Sequence, residues 1–159
     1  MAREIFVISD THLGHENIIK YCDRPFYDVH DMNETIIDNW NKTVRDDDII
    51  YHLGDVYFRD HSLIHRLRGR KRLVLGNHDI AKDQHLQAVF QKILMWRQFP
   101  EFGLLLTHVP VHPNTLNNKW PVNVHGHIHN RPSYGKEYKN VSVEMINYTP
   151  INIEELRYK

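Results

Sequence analysis

The sequence has almost no cysteine, no excess of charge of either sign and no long apolar run. Its single cysteine, Cys22, excludes an intramolecular disulfide and any zinc cluster built from several thiolates. The 20 Lys and Arg residues balance the 20 Asp and Glu residues, which disfavours a strongly basic nucleic-acid clamp or an electrostatic membrane binder. No segment approaches the roughly 18 apolar residues of a membrane span, and no secretory signal is visible. We therefore expect a cytoplasmic protein with no membrane partner.

Histidine is what the sequence has in abundance. The chain contains 13 histidines, against 7 glycines and 7 prolines. Imidazole is the commonest metal ligand and the usual acid–base group near neutral pH. Five of the histidines follow no pattern that indicates a role, namely His30, His61, His65, His85 and His112. The positions of the others decide the functional prediction.

The order of apolar segments predicts an α/β fold in one domain, residues 1–159, because no repeat or linker divides the chain. Three strands are expected in the first half, at 4–9, 48–53 and 72–75. Three helices are expected around them, at 31–44, 60–67 and 82–90. The second half predicts strands at 93–99, 103–107, 122–125 and 141–146, then a terminal turn capped by Asn152. The pattern favours two sheets packed face to face with helices outside.

Five of the apolar segments end in loops that begin with metal-binding side chains. The loops are Asp10-Thr11-His12, Gly54-Asp55, Gly76-Asn77-His78-Asp79, Thr107-His108 and His125-Gly126-His127. Ligands bind at the carboxyl ends of strands in α/β sheets, so these loops are expected to converge. Residues two apart in an extended chain project to the same face, and glycine lets the backbone turn sharply. Mixed imidazole, carboxylate and amide ligands favour Mn²⁺, Fe or Zn²⁺ over Ca²⁺ or Mg²⁺.

In this order the motifs resemble the signature of the calcineurin-like metallophosphoesterases, which is D-x-H, G-D, G-N-H-D, a lone His and G-H-x-H. The last motif occurs as Gly126-His127-Ile128-His129, which places the metal-binding pair at His127 and His129 and leaves His125 as a neighbour. The resemblance spans residues 5 to about 146. It implies a small, cap-less member with a four-layer αββα fold, in which helices flank a two-sheet sandwich.

The resemblance also implies a centre of two divalent transition-metal ions. It distributes seven ligands over the ions: Asp10, His12 and His129 for one, Asn77, His108 and His127 for the other, and Asp55 bridging both. Manganese is favoured, with iron, zinc, nickel and cobalt as the alternatives. His78 would be the catalytic imidazole, held in place by Asp79.

The expected reaction is hydrolysis of a phosphate ester. Two ions about 3.5–4 Å apart lower the pKa of a bridging water, so that hydroxide attacks at neutral pH. A protonated His78 would stabilise the phosphoryl oxygens or protonate the leaving alkoxide, which is worth about 10²–10⁴-fold. A cap-less site favours a phosphodiesterase. The alternatives are a nuclease on short single strands, a phosphomonoesterase, and a non-catalytic protein-binding scaffold of the same fold.

Several residues near the motifs are candidates for contact with the substrate, which is a phosphate ester and, among the alternatives, a nucleotide or nucleic acid. The candidates are His15, Asn17, Arg24 and Arg131. Arg24 precedes Pro25 and is predicted either to clamp a phosphate bidentately or to form a salt bridge. The basic run of residues 66–72 (Arg66, Arg68, Arg70, Lys71 and Arg72) either tracks a nucleic-acid backbone or forms a solvated helix end. His52 is expected in the core, and His125 behind the ligands.

Overall fold

Nine strands in two sheets make up the framework of the computed structural model, which describes residues 2–159. The strands are β1 (Ile5–Ile8), β2 (Ile49–His52), β3 (Arg70–Val74), β4 (Lys92–Leu94), β5 (Arg97–Phe99), β6 (Leu104–Leu106), β7 (Val122–His125), β8 (Tyr138–Asn140) and β9 (Ile151–Asn152). The α-helices are α1 (Ile18–Tyr21), α2 (Val29–Thr43) and α3 (Gln84–Val89). Short 3₁₀ helices lie at His61–Arg66, Pro100–Phe102, Pro113–Thr115, Val143–Met145 and Ile153–Glu155.

Both sheets are mixed, with a parallel majority. The larger sheet has the order β4-β3-β2-β1-β9, in which β1 to β4 are parallel and β9 is antiparallel to β1. The smaller sheet has the order β5-β6-β7-β8, in which β5 alone is antiparallel. Parallel neighbours align their carboxyl ends along one edge. The predicted α/β class is confirmed.

Side chains of β1 alternate between two cores. Phe6 and Ile8 pack with Trp40 of α2, whereas Val7 packs with Leu106 and its neighbours in the smaller sheet. Successive residues of a strand point to opposite faces, so this alternation means that the larger sheet is buried on both sides. One face carries the helices and the other carries the smaller sheet.

The helix α2 supplies most of the helical side of the core. Its apolar residues recur at helical spacing and are buried, as the sequence predicts: Met32, Ile36, Ile37 and Trp40. The helix begins after Asp28, whose carboxylate accepts a hydrogen bond from the backbone N–H of Asp31. No helix among residues 2–159 is long and apolar enough to cross a membrane.

The expected fourth layer is wrong for the described residues. The α-helices all precede β4 in the chain, and their buried side chains pack in the core beside the larger sheet. After β4, the helical segments of residues 95–159 are 3₁₀ turns of three residues each, so the buried outer face of the smaller sheet, which carries Leu105 and Asn123, is covered without an α-helix. The layers are therefore helices, larger sheet and smaller sheet, rather than αββα.

Three further expectations about elements need correction. The helix expected at 60–67 is a 3₁₀ helix, His61–Arg66. The strand expected at 93–99 divides into β4 and β5, which belong to different sheets, so the chain crosses between sheets there. The strand expected at 141–146 is a 3₁₀ turn, and the strand β8 lies just before it. Val141 and Val143 of this segment are buried although the segment is not a strand, because a short apolar run does not distinguish a strand from other buried structure.

Candidate metal centre

The carboxyl ends of five parallel strands meet where the two sheets adjoin. The backbone N–H of His127, after β7, donates to the carboxylate of Asp10, after β1, at 2.8 Å. His108, after β6, contacts the amide oxygen of Asn77, after β3, also at 2.8 Å. The backbone N–H of Asp10 donates to the carbonyl of Gly54, after β2, at 3.0 Å. The five predicted loops therefore form one site.

The backbone at this site is left-handed at an unusual number of positions. Five of the seven predicted ligands have positive φ: Asp10 (58°), His12 (49°), Asp55 (60°), His127 (72°) and His129 (51°). Non-glycine residues held there cost on the order of 1–3 kcal/mol each, and such residues cluster at functional sites. The expected geometry of the i, i+2 pairs was wrong. Left-handed residues alternate with ordinary ones, and this alternation turns both side chains of a pair inward.

The first half-site consists of Asp10, His12 and His129. The Oδ1 atom of Asp10 lies 3.7 Å from His12 Nε2 and 3.6 Å from His129 Nε2. Neither Asp10 Oδ1 nor His12 Nε2 has a hydrogen-bond partner in residues 2–159, although both residues are almost fully buried. An unpaired buried polar group costs about 1–3 kcal/mol, and more when charged. A cation shared by the three atoms would satisfy them.

The second half-site consists of Asn77, His108 and His127. The Oδ1 atom of Asn77 lies 2.8 Å from His108 Nε2 and 3.1 Å from His127 Nδ1. His108 directs its Nδ1 at the carbonyl of Leu53, at 2.6 Å, and this nitrogen therefore carries the ring proton. In a neutral His108, Nε2 then presents a lone pair to another acceptor. Two acceptor atoms that face each other repel, and a cation bound between them would relieve this repulsion.

Asp55 lies between the two half-sites. One carboxylate oxygen, Oδ2, is 3.6 Å from His12 Nε2 and 3.4 Å from His108 Nε2. The other, Oδ1, accepts the backbone N–H of His78 at 2.9 Å. Distances of 3.4–3.7 Å are long for hydrogen bonds but ordinary for two atoms that ligate the same ion. The groups of His and Asp side chains on either side of this carboxylate could therefore hold metal.

Both carboxylates are held in the ionised form that metal binding needs. Burial alone would raise the pKa of Asp10, but the neighbouring His12, His108 and His129 lower it to about 2. Burial likewise opposes ionisation of Asp55, and His108 and His12 more than reverse it, so that its pKa falls well below the usual range. The same contacts with Asp10 and Asp55 oppose the effect of burial and raise the pKa of His12 and His108, so a metal ion would replace protons on these imidazoles.

Glycines allow the strand ends to approach each other. A Cβ atom on Gly126 would overlap the hydroxyl of Ser9 and the carboxylate of Asp10. A Cβ atom on Gly54, where φ is +105°, would lie 2.8 Å from His108 Nδ1 and overlap the backbone of Gly76. The close packing behind the ligands therefore depends on these residues having no side chain.

His78 lies at the exposed rim of the site, whereas Asp79 lies beneath it. Asp79 accepts hydrogen bonds from the backbone N–H groups of Asp55, Val56 and Gly76, at 2.8, 3.1 and 2.8 Å. The expected hydrogen bond between Asp79 and the imidazole of His78 is absent from residues 2–159, where the Asp79 carboxylate accepts these three backbone donors instead. Burial, with the nearby charge of Asp55, raises the pKa of Asp79. Asp79 fixes the two loops rather than the ring.

Arg24 is buried behind the first half-site and does not line an open pocket. Its guanidinium donates to the carbonyls of Asp10 and Thr11, at 2.7 and 2.9 Å, and pairs with Glu144 at 2.9 Å. Its side chain is fully buried, so the prediction that it clamps a substrate phosphate is wrong. Arg24 instead fixes the strained loop that carries Asp10 and His12.

Glu144 is the functional candidate that sequence reasoning missed. One carboxylate oxygen, Oε2, lies 2.9 Å from Nδ1 of His129 and accepts from Arg24 Nε, also at 2.9 Å. A carboxylate at Nδ1 fixes the tautomer that leaves Nε2 of His129 free for a metal. Glu144 carries no motif and comes from the segment expected to be a strand, so only the fold brings it to the site.

His15 contacts His12, one of the predicted ligands, rather than standing free at the rim. Its Nδ1 lies 3.1 Å from Nδ1 of His12, and its ring stacks on Phe58 with centroids 4.3 Å apart. Burial, with the charges of His12 and Arg24 nearby, lowers the pKa of His15 to about 4. A neutral His15 can share a proton with His12 and orient its Nε2 toward the centre.

The remaining candidates lie at the surface or behind the site. Asn17 and Arg131 are exposed, with no side-chain hydrogen bond in residues 2–159. His125 is buried, and its Nδ1 donates to the carbonyl of Gly126 at 2.9 Å. His52 is fully buried, as expected, and contacts the hydroxyl of Thr11 at 2.9 Å.

The basic run of residues 66–72 is occupied by contacts within the protein. Arg66 pairs with Glu34 through two hydrogen bonds, and Arg68 and Arg70 pair with Asp46 and Asp47. Lys71 donates to two backbone carbonyls, and Arg72 donates to the hydroxyl of Tyr51. These partners favour the interpretation of the run as a solvated element end over a track for nucleic acid.

Fold and site together define an α/β protein of two facing sheets that gathers histidines and aspartates at its strand ends. The chain is 38% identical to the uncharacterized protein MJ1445 of Methanocaldococcus jannaschii, over 96% of this chain and 88% of that protein. It belongs to the same family as that protein. No protein-family model matches the chain.

Other relatives extend the comparison to viruses and to a solved structure. The gene 66 protein of Mycobacterium phage D29 is 26% identical over 80% of this chain and 79% of its own length. The crystal structure of the protein of unknown function AQ665 from Aquifex aeolicus superimposes with a TM-score of 0.79, at 28% identity, and covers 98% of both chains. The same fold therefore extends over nearly the whole chain.

Proposed function

We propose that the protein is a metal-dependent phosphoesterase of the calcineurin-like type, with a preference for phosphodiesters. The observation that carries the proposal is the position of Asp55, whose Oδ2 lies within 3.6 Å of one histidine from each half-site. A carboxylate between two ligand sets is what a two-ion centre for in-line displacement at phosphorus needs.

We assign the predicted ligands to two metal positions. The first half-site of Asp10, His12 and His129 would hold one ion, and the second half-site would hold the other, with Asp55 shared. When bound, two such ions would lower the pKa of the attacking water and neutralise the phosphoryl oxygens. Buried Asp10 and Asp55 supply the compensating negative charge.

The side chain of His78 is available to the substrate. It is exposed, and its ring centroid lies 5.9 Å from that of His12, at the edge of the centre. Its backbone N–H is fixed to the carboxylate of Asp55, which holds the residue over the two half-sites. The imidazole can donate a proton to the leaving oxygen from this position.

The openness of the site supports the preference for a diester. Asn77 and His78 are both exposed, so the rim can admit a phosphate that carries a group on each side. The internal pairing of residues 66–72 gives no support to a long nucleic-acid track, so the proposal concerns small diesters.

The test is reconstitution of metal-free protein with Mn²⁺, Fe²⁺, Co²⁺, Ni²⁺, Zn²⁺ or Mg²⁺. Each form is assayed on bis-p-nitrophenyl phosphate and on p-nitrophenyl phosphate, with Asp55→Asn as the matched inactive control. We expect hydrolysis of the diester by the manganese form. Hydrolysis of the monoester alone would overturn the preference for diesters, and absence of both turnover and bound metal would favour a protein-binding scaffold.

A further inference from the structure

Three histidines gather on the surface outside the centre described above. His61 and His65 lie on the 3₁₀ helix His61–Arg66, and His85 lies in the first turn of α3. One ring nitrogen of each can be chosen so that all three lie within 4.8 Å of one another. His61 and His65 are exposed, and His85 is half-buried. Nothing in the proposed phosphoesterase mechanism uses them.

The spacing of two of these nitrogens matches a shared metal ion. His65 Nε2 lies 3.4 Å from His85 Nδ1, which is long for a hydrogen bond between nitrogens. Two imidazole nitrogens, each about 2.0–2.1 Å from a tetrahedral zinc ion, lie about 3.3–3.4 Å apart. The ring of His61 stacks on that of His85 with centroids 3.6 Å apart and planes at 6°. To bind the same ion, His61 would have to turn about its side-chain torsions out of this stack, and its exposure leaves room for that movement.

The backbone that carries the three rings is fixed from both sides. Asp60 accepts the N–H of Ser62 at the start of the 3₁₀ helix, and Asp83 accepts the N–H of His85 at the start of α3. Apolar side chains bury the inner faces of both elements, namely Leu63, Ile64 and Leu86. Only side-chain torsions remain to be ordered on binding, which keeps the entropic penalty small.

We propose that His61, His65 and His85 form a binding site for one transition-metal ion, separate from the dinuclear centre. Neutral imidazoles suit Zn²⁺, Cu²⁺ and Ni²⁺ and give little affinity for Mg²⁺ or Ca²⁺. Three protein ligands leave a fourth position of a tetrahedral ion open to water or a small anion. The ion would also link the 3₁₀ helix to α3.

The experiment measures Zn²⁺ stoichiometry by equilibrium dialysis of the full chain. The wild-type protein is compared with His65→Gln, His85→Gln and the double variant, and with His30→Gln, which removes an exposed histidine of α2 outside the cluster. We expect the double variant to bind one equivalent fewer than the wild-type protein and His30→Gln. Turnover of the manganese-loaded double variant should remain that of the wild-type protein, because neither residue belongs to the dinuclear centre.

A spectroscopic measurement identifies the ligands independently of stoichiometry. Cu²⁺ added to protein whose dinuclear centre is already loaded should give an EPR signal with nitrogen hyperfine splitting, and this signal should be lost in the double variant. Circular dichroism and thermal midpoints in chelator should match those of the wild-type protein, since the substituted rings are at the surface. Equal Zn²⁺ stoichiometry in the wild-type protein and a folded double variant would overturn the proposal, whatever the outcome for phosphoesterase activity.

Discussion

The two half-sites of the centre use similar ligands but hold them differently. In the first half-site, Asp10 Oδ1 and His12 Nε2 are buried and have no hydrogen-bond partner in residues 2–159. In the second half-site, Asn77, His108 and His127 contact one another at 2.8–3.3 Å, and Asn77 is exposed. The first half-site buries polar atoms that only a ligand would satisfy, whereas solvent can reach Asn77 in the second half-site. We expect the first to bind its ion more tightly.

Substitution of Asp55 should weaken metal binding in both half-sites, because its carboxylate lies between them. Asp55→Asn keeps the shape of the side chain but removes the charge that lies between His12 and His108. Since metal ions supply several kcal/mol of transition-state stabilisation, we expect kcat for the diester to fall by about 10⁴-fold or more. Metal content and kcat are measured on the same preparation. Full activity with both ions bound would remove Asp55 from the centre.

Substitution of His78 distinguishes a role in the chemical step from a role in metal binding. His78→Ala removes the exposed imidazole but keeps the backbone N–H that donates to Asp55. We expect kcat to fall by about 10²–10⁴-fold, the usual contribution of a general acid. Both ions should remain bound, as measured by elemental analysis of the dialysed protein. Loss of an ion from the variant would make His78 a ligand and the assigned role wrong.

Glu144 can distinguish the half-sites, because it contacts His129 alone among the seven ligands. Glu144→Gln removes the charge that accepts from His129 Nδ1 and from Arg24. Loss of such a carboxylate behind a ligand lowers metal affinity by about 10–100-fold. Titration calorimetry with Mn²⁺ should therefore show one weakened step and one unchanged step.

Two further variants serve as controls for that titration. Glu16→Gln changes an exposed carboxylate close to the D-x-H motif in sequence and should leave both steps unchanged. Asn77→Ala removes a ligand of the second half-site and should weaken the other step. If Glu144→Gln and Asn77→Ala weakened the same step, the division into two half-sites would be wrong.

The sequence predicted which residues meet at the strand ends better than it predicted what supports them. The seven predicted ligands follow parallel strands, and the carboxyl ends of such strands converge whatever the exact strand bounds. Asp10 and His129 therefore come together, although the expected extended geometry of their pairs is wrong. Asp10 and His129 both have a left-handed backbone conformation, and the pattern of apolar and polar residues in the sequence does not reveal it.

The residues behind the ligands carry no comparable signal. Glu144 is 15 residues from His129 and 120 residues from Arg24. The three meet because β8 pairs with β7 and the segment after β8 bridges to the end of β1 through Ser9 and Ser142. Arg24 resembles any surface arginine in the sequence. Its burial depends on the carbonyls of Asp10 and Thr11 pointing inward, a consequence of backbone strain. The fourth layer was wrong for a related reason, since the family resemblance extends to motifs and not to the segments between them.

His52 contacts Thr11, which lies between Asp10 and His12 of the first half-site. Its substitution should have a smaller effect, on the free energy of unfolding. His52 is fully buried, its Nδ1 accepts the N–H of Gly54, and its Nε2 faces the hydroxyl of Thr11, which donates to the carbonyl of Val56. His52 Nε2–H is therefore the donor, and the ring is neutral. Burial lowers the pKa of His52 from 6.5 to about 3.

The sign of the pH effect follows from that lowered pKa. Between about pH 6.5 and 3 the unfolded chain binds a proton at His52 that the folded protein does not, so acidification destabilises the fold. The contribution approaches about 1.4 kcal/mol per pH unit within this window and vanishes above it. In urea unfolding with chelator present, we expect His52→Gln to show a shallower loss of stability than the wild-type protein from pH 6.5 to pH 5. If stability fell with pH equally in the wild-type protein and in His52→Gln, His52 would be charged in the folded protein. The assignment of a neutral His52 that donates to Thr11 would then be wrong.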